Sequence, residues 1–346
     1  MTDKMIKKEE LKGFLQELKK DYDVFVPAKG EDSFHSFKAL DEKETFDFDF
    51  KNTRVSPKSF ALPQSESMFE FSLNKEDKDA NILKETKNDY TPKLIVGIRP
   101  CDANAFKLVN INFDNLEFKD PWWSKRLESL TLIGLGCNEP DSTCFCTSVG
   151  GGPFDENGLD ILLFDLDEYF LMRPITDKGI KLLEKAGVNQ EADSALKKKA
   201  DEIKTASEEK IISRVPTDKL RKKDVGHLFN APFWDDIAFA CINCGTCTFL
   251  CPTCWCFDIQ DEVTQNQGDR IRNWDSCMFP LFTLHASGHN PRPEKVQRVR
   301  QRFMHKLKYY VDKYDNGVAC VGCGRCVKHC PVNIDIREVF KLMNDL

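Results

Sequence analysis

The sequence has no apolar run approaching the length of a membrane span, and its opening residues, MTDKMIKKEELKGFLQELKK, lack the apolar stretch of a secretory leader. A cytoplasmic protein with no membrane partner is expected. Nor is there an excess of positive charge: 50 Lys and Arg stand against 56 Asp and Glu, a formal net charge of -6, which speaks against a generally basic nucleic-acid binder. Catalytic signatures are missing as well. There is no dinucleotide fingerprint and no Walker loop, and the glycines at 150–152 are not followed by Lys-Ser or Lys-Thr. None of the six histidines pairs with a cysteine in a nucleophile signature. Before Cys101 there is no cysteine at all.

From that point on there are fifteen, four between Cys101 and Cys146 and eleven from Cys241 onward. That is too many for accidental core thiols, and a reducing cytosol argues against a disulfide framework, so metal is the natural reading. The chain of 346 residues, 41% of them hydrophobic, is long enough for two domains of unequal size and too apolar for disorder. The uneven cysteine distribution suggests a separate site in each.

Residues 1–190 read as an α/β domain. An amphipathic helix at the start places Leu11, Phe14, Leu15 and Leu18 on one face, and Val24 to Val26 is strand-like. Residues 73–91 are charged and read as a surface loop. Two similar units follow: LIVGIRPCD, in which Leu94 to Ile98 is a buried strand ending in a cysteine loop, and LTLIGLGCNE, which does the same at Cys137. Residues 160–172 hold two more short strands around an acidic turn, and strands alternating with helical stretches imply the α/β class. Residues 191–230, rich in Lys, Glu and Ala, read as a helical connector.

Residues 231–346 carry 14 Lys and Arg against 13 Asp and Glu, whereas residues 1–230 carry 36 against 43. The expected fold here is an all-α, helical ferredoxin-like domain. Within it, residues 292–308 hold seven basic side chains (Arg292, Lys295, Arg298, Arg300, Arg302, Lys306, Lys308), while Val296, Val299, Phe303, Leu307 and Tyr310 recur at helical spacing. This amphipathic helix is read as compensating a negatively charged cofactor or as a docking face, in preference to a nucleic-acid surface.

Cys241-x2-Cys244-x2-Cys247-x3-Cys251-Pro252 and Cys320-x2-Cys323-x2-Cys326-x3-Cys330-Pro331 repeat one spacing. It is the bacterial run for cubane iron-sulfur clusters, in which three close thiolates wrap one cluster and the fourth reaches the other. Structural zinc more often shows pairs of Cys-x2-Cys or mixed Cys and His. Two 4Fe-4S clusters are expected, with crossed ligand sets: Cys241, Cys244, Cys247 and Cys330 for the first, Cys320, Cys323, Cys326 and Cys251 for the second. Because 68 residues separate Cys251 from Cys320, the domain is a ferredoxin with an insertion, read as largely helical. Arg325 and Lys328, with the basic helix, are candidates to offset the cluster charge.

Cys101 and Cys137 each follow a predicted strand, and if those strands are parallel both emerge at the C-terminal sheet edge, where α/β folds build sites. Cys144 and Cys146 follow in GCNEPDSTCFCTSVGGGP. The four thiols are a candidate third 4Fe-4S site; the alternative is a group of buried free thiols beside a glycine turn. Cys254, Cys256 and Cys277 fall outside every spacing and are read as buried thiols near a cluster. His329, beside Cys330, is read as a solvated side chain rather than a modulator of cluster potential.

At NTRVSPKSFALPQSE (52–66), GIRPCDANAF (97–106), GCNEPDSTCFCTSVGGGP (136–153), CPTCWCFDIQDE (251–262), RNWDSCMFPLFTLHASGHNPRP (272–293) and CVGCGRCVKHCPVNIDI (320–336) the chain resembles a family of iron-sulfur subunits. It includes the beta subunit of archaeal sulfhydrogenases, the iron-sulfur subunit of anaerobic sulfite reductase and subunits paired with heterodisulfide reductases. The resemblance implies a relay between a flavoprotein subunit that handles NAD(P)H and a catalytic subunit of hydrogenase, sulfite reductase or heterodisulfide reductase type. It also carries over the eight cysteines of the two runs as ligands. The function expected is therefore electron transfer within an oxidoreductase complex, without catalysis by the chain alone. The rivals are a catalytic subunit with an open, substrate-binding cluster and a redox-sensing cluster protein.

Overall fold

The apolar runs around Leu94 and Leu132 become the middle of a sheet in a computed structural model that describes residues 2–40 and 46–346. In chain order the strands are β1 (Lys4–Lys7), β2 (Asp23–Lys29), β3 (His35–Ala39), β4 (Ser65–Ser72), β5 (Lys84–Glu85), β6 (Lys93–Ile98), β7 (Leu130–Leu135), β8 (Ile161–Leu166), β9 (Tyr169–Pro174), β10 (Phe257–Thr264) and β11 (Gln267–Trp274). The helices are α1 (Leu11–Leu18), α2 (Pro100–Phe113), α3 (Pro121–Ser129), α4 (Asp177–Lys185), α5 (Ser194–Glu209), α6 (Val225–Phe229), α7 (Phe233–Phe239), α8 (Thr246–Phe249), α9 (Lys295–Met304), α10 (Tyr310–Tyr314), α11 (Arg325–Lys328) and α12 (Ile336–Asp345).

Seven strands form one sheet in the order β1-β9-β8-β7-β6-β2-β3. Its centre, β8, β7, β6 and β2, is parallel, and the flanking strands are antiparallel. Buried on both faces, the parallel strands read as continuous apolar runs. Leu94, Val96, Ile133 and Ile161 pack on one side with Leu11, Phe14, Leu15 and Leu18 of α1 and Leu182 of α4. Ile95, Leu132 and Leu162 pack on the other with Ala103, Phe106 and Val109 of α2 and Trp123 of α3. Gly97, at φ 83, shifts the β6–β7 register and turns Ile98 to the α2 side.

Two sequence expectations are corrected here. The opening helix starts only at Leu11, because Lys4–Lys7 pairs with Tyr169–Met172 and extends the sheet edge. The C-terminal half is not all helical: the insertion opens with the hairpin β10–β11, whose β11 pairs with β4 from the first half, giving a second sheet in the order β10-β11-β4-β5. The seam is held by buried ion pairs, Arg272 with Glu66 and Asp120 and Arg126 with Glu66. After a loop over residues 275–294 the elements are helical again, and α9 runs into α10 through one π turn, His305–Tyr309. Val299, Phe303 and Leu307 form its apolar stripe against α7 and α12. Among the described residues no helix is long and apolar enough to cross a membrane.

Candidate metal centres

The two cysteine runs fold as copies of one another. Asn243 and Gly245 flank Cys244 at φ 56 and 74, and Gly322 and Gly324 flank Cys323 at φ 63 and 74. Two left-handed residues around the second cysteine curl the backbone into a concave loop whose N–H groups suit an anion. Each loop then enters a single helical turn, α8 or α11, that carries the third cysteine, and these two turns pack together. The packing crosses the runs: Cys330 lines the same cavity as Cys241, Cys244 and Cys247, with Arg302 and Cys326 on its wall. Cys251 lies in turn beside Cys320, Cys323 and Cys326.

Burial pushes the Cys320 thiol up to about 12 and Cys323 and Cys326 to about 11. As free thiols they are neutral at pH 7 and lose their protons only to a metal. The surrounding cations make sense only with that charge in place. Lys58, Arg99, Arg298, Arg302 and Lys306 are all buried, and none has a carboxylate within ion-pair distance among the described residues. Each instead stands by cysteines: Arg99 by Cys137, Arg298 by Cys241, Arg302 by Cys247 and Cys326, Lys306 by Cys251, Cys254 and Cys320, Lys58 by Cys254, Cys251 and Cys256. The Arg302 Nε is buried without a hydrogen-bond partner. Burying an isolated cation costs several kcal/mol, so this donor set, thiols ringed by orphan cations, fits an anionic thiolate-bound group.

Arg325 lies beside Cys323 and Cys101, where it was expected, but it and Lys328 each have a carboxylate partner as well. The Arg325 guanidinium is already neutralised by Asp102, with which it forms two hydrogen bonds of 2.6 and 2.7 Å. Lys328 donates to Asp141 at 2.6 Å. Both pairs fasten the first half of the chain to the second cysteine run. Although burial pushes the Asp141 carboxyl up, Lys328 and the Thr143 N–H hold it down at about 2.

The four first-half cysteines converge. Because β6 and β7 are parallel, Cys101, on the first turn of the 14-residue α2, and Cys137, just past β7, emerge at the same sheet edge. Cys144 and Cys146 face Cys137, and Cys101 lies within its influence. Burial raises all four, Cys144 to about 12. The group abuts the second run directly: Phe145 N–H donates to Gly322 O at 2.9 Å and Cys144 Sγ lies 3.9 Å from Cys323 O. Side chains at Gly322 have no room, since a Cβ there would stand 2.5 Å from Cys146 N.

Among the described residues no three His, Cys, Asp or Glu side chains converge tightly enough for a single ion. Zinc needs four ligands about 2.3 Å away on one point, whereas a cubane spreads its thiolates. Clefts of about 750 Å³ elsewhere, such as the one lined by Asn104, Lys107, Asn110 and Lys178, contain no cysteine. His329 is half-buried with its ring edge-on to Phe34. The orphan cation Lys58, in the PKSFALP segment, went unnoticed in the sequence; nothing about a lone lysine there signals burial.

The 4Fe-4S dicluster domain family matches residues 240–334. Over 335 residues, 94% of this chain and 94% of the relative, the sequence is 29% identical to the Sulfhydrogenase 2 subunit beta of Pyrococcus furiosus. No solved structure matches. The chain is thus a homologue of a sulfhydrogenase beta subunit, an iron-sulfur protein whose dicluster domain takes two 4Fe-4S clusters.

Proposed function

We propose that this homologue of a sulfhydrogenase beta subunit is the electron relay of a multi-subunit oxidoreductase, standing between a flavoprotein subunit that handles NAD(P)H and a catalytic subunit of hydrogenase, sulfite reductase or heterodisulfide reductase type. Cys241, Cys244, Cys247 and Cys330 hold one cluster, and Cys320, Cys323, Cys326 and Cys251 hold the second. Cys101, Cys137, Cys144 and Cys146 hold a third. Bound cubanes supply one-electron storage at potentials set by charge, hydrogen bonds and exposure. Residues 1–190 frame the third site, 191–230 connect, and 231–346 carry the other two.

The observation that carries this reading is the set of five buried cations with no carboxylate partner, each beside cysteines. They are the counter-charges of anionic centres in a row. The first-half set touches the second run, and Arg302 lies between Cys326 of that run and Cys247 of the first. At the far end Cys244 is exposed, flanked by Ile242 at 62% and Phe239 at 84% exposure. That end is the port to a partner.

Every coordination position in these three sets is filled by a thiolate, so the residues hold and tune charge and do no acid–base work. The test is to reduce the anaerobic, isolated chain with dithionite and offer a viologen dye, then NAD(P)+, sulfite, protons or a disulfide in turn. Exchange with the dye and no product from the others is expected; product formation by the pure chain would overturn the reading.

A further inference from the structure

Cys254, Cys256 and Cys277 belong to none of these three sets, yet the fold gathers them. Cys256 immediately precedes β10 and Cys277 follows β11 closely, so pairing Phe257 with Trp274 returns the chain to its starting point. The Asp275 N–H donates to Cys256 O at 3.0 Å, and the Cys277 thiol and backbone N–H face the Cys256 sulfur. Cys254 lies next to both and is one hydrogen-bonded turn from Cys251, whose sulfur it also faces. All three are only half-buried.

Lys58 is the second observation. Its side chain is 6% exposed, and its Nζ donates to Cys254 O at 3.0 Å and Thr248 O at 3.2 Å and lies 4.2 Å from the centre of the Trp274 ring. No carboxylate lies within ion-pair distance among the described residues. Two carbonyls and a ring face orient an ammonium but do not cancel its charge. Lys58 also stands by Cys251 of the second cluster, but that cluster has a cation of its own in Lys306, which is fixed by Thr253 Oγ1 at 2.7 Å and Ala319 O at 2.9 Å and leaves Lys58 over for Cys254 and Cys256. Thiols that keep their protons give Lys58 no counter-charge. Thiolates on an iron-sulfur centre do.

Given the relay reading, we infer that Cys254, Cys256 and Cys277 are three thiolate ligands of a further iron-sulfur cluster, with Lys58 as its counter-ion. Three cysteines leave one iron of a cubane without a protein thiolate. Among the cysteine sets described, that iron is the one position left to water or to a small anionic ligand.

The experiment compares the full-length, anaerobically reconstituted chain with Cys256→Ser/Cys277→Ser, Cys244→Ser and Lys58→Gln. The double variant should lose about four irons and their sulfide relative to the parent, while Lys58→Gln keeps the iron but moves one reduction potential to a more negative value. Unchanged iron in the double variant, with Cys244→Ser still losing iron, overturns this inference alone. Unchanged iron in both overturns the relay reading beneath it. Should the double variant fail to fold, alkylation of the parent decides. Protection of Cys254, Cys256 and Cys277 until iron is stripped supports the site. Their modification in the loaded protein, or a Cys256–Cys277 disulfide by mass mapping, overturns it.

Discussion

Arg302 and Arg325 have the same side chain at the same depth and opposite situations. Arg325 has Asp102; Arg302 has only cysteines. Removing the partner of a buried charge costs ~3–5 kcal/mol, so Asp102→Asn should destabilise the chain by that order in denaturant unfolding, whereas Arg302→Met should not. In the loaded protein Arg302→Met should instead shift the potentials of the two neighbouring clusters to more negative values with iron content near normal, read by redox titration. His305 supplies a pH dependence: burial, reinforced by Lys306 and Lys313, lowers it to about 4, against an ordinary value of about 6.5. Its folded pKa is depressed, so the unfolded chain binds the proton first, and stability is lost as pH falls from about 6.5 to about 4. The loss is up to ~3 kcal/mol. His305→Phe, which keeps the edge contact with Trp255, should flatten that part of the stability profile in unfolding titrations at successive pH values.

At the scale of elements, the crossing of the two runs makes a sharp prediction. Cys251→Ser should damage the cluster of Cys320, Cys323 and Cys326 more than that of its own run, because the fourth thiol of each run sits with the other. Spectroscopy of that variant distinguishes the two. Gly322→Ala should also part the Cys144–Cys146 loop from the second run, since its Cβ has no space and φ is 63. The parallel strands were legible because LIVGI and LTLIGL are apolar on both faces, and the stripe from Val299 to Leu307 because its period is helical. The hairpin was not: FDIQDEVT and QGDRIRNW are mostly polar, their turn residue Gln265 takes φ 57 without a glycine, and their partner β4 lies in the distant first half. The grouping of the cysteines by run was readable from spacing alone. Which lysines and arginines would face them was not, because Lys328 and Lys306 differ only in what the fold places opposite them.

For the molecule as a whole, the second sheet and the Asp102–Arg325 and Asp141–Lys328 pairs bind the halves into one chain of thiol groups. Cys101→Ser/Cys137→Ser should therefore lower iron by about four per chain without displacing the two dicluster signals; a loaded parent whose four first-half thiols alkylate freely would show that this site holds no cluster. The central claim, that the chain stores and passes single electrons along adjacent clusters, is tested most directly by a redox titration of the anaerobic full-length protein followed by electron paramagnetic resonance. The account predicts several reducible 4Fe-4S signals that broaden as neighbours become reduced together, from magnetic coupling between adjacent centres. A protein that binds zinc at these cysteines and takes up no electrons would contradict it.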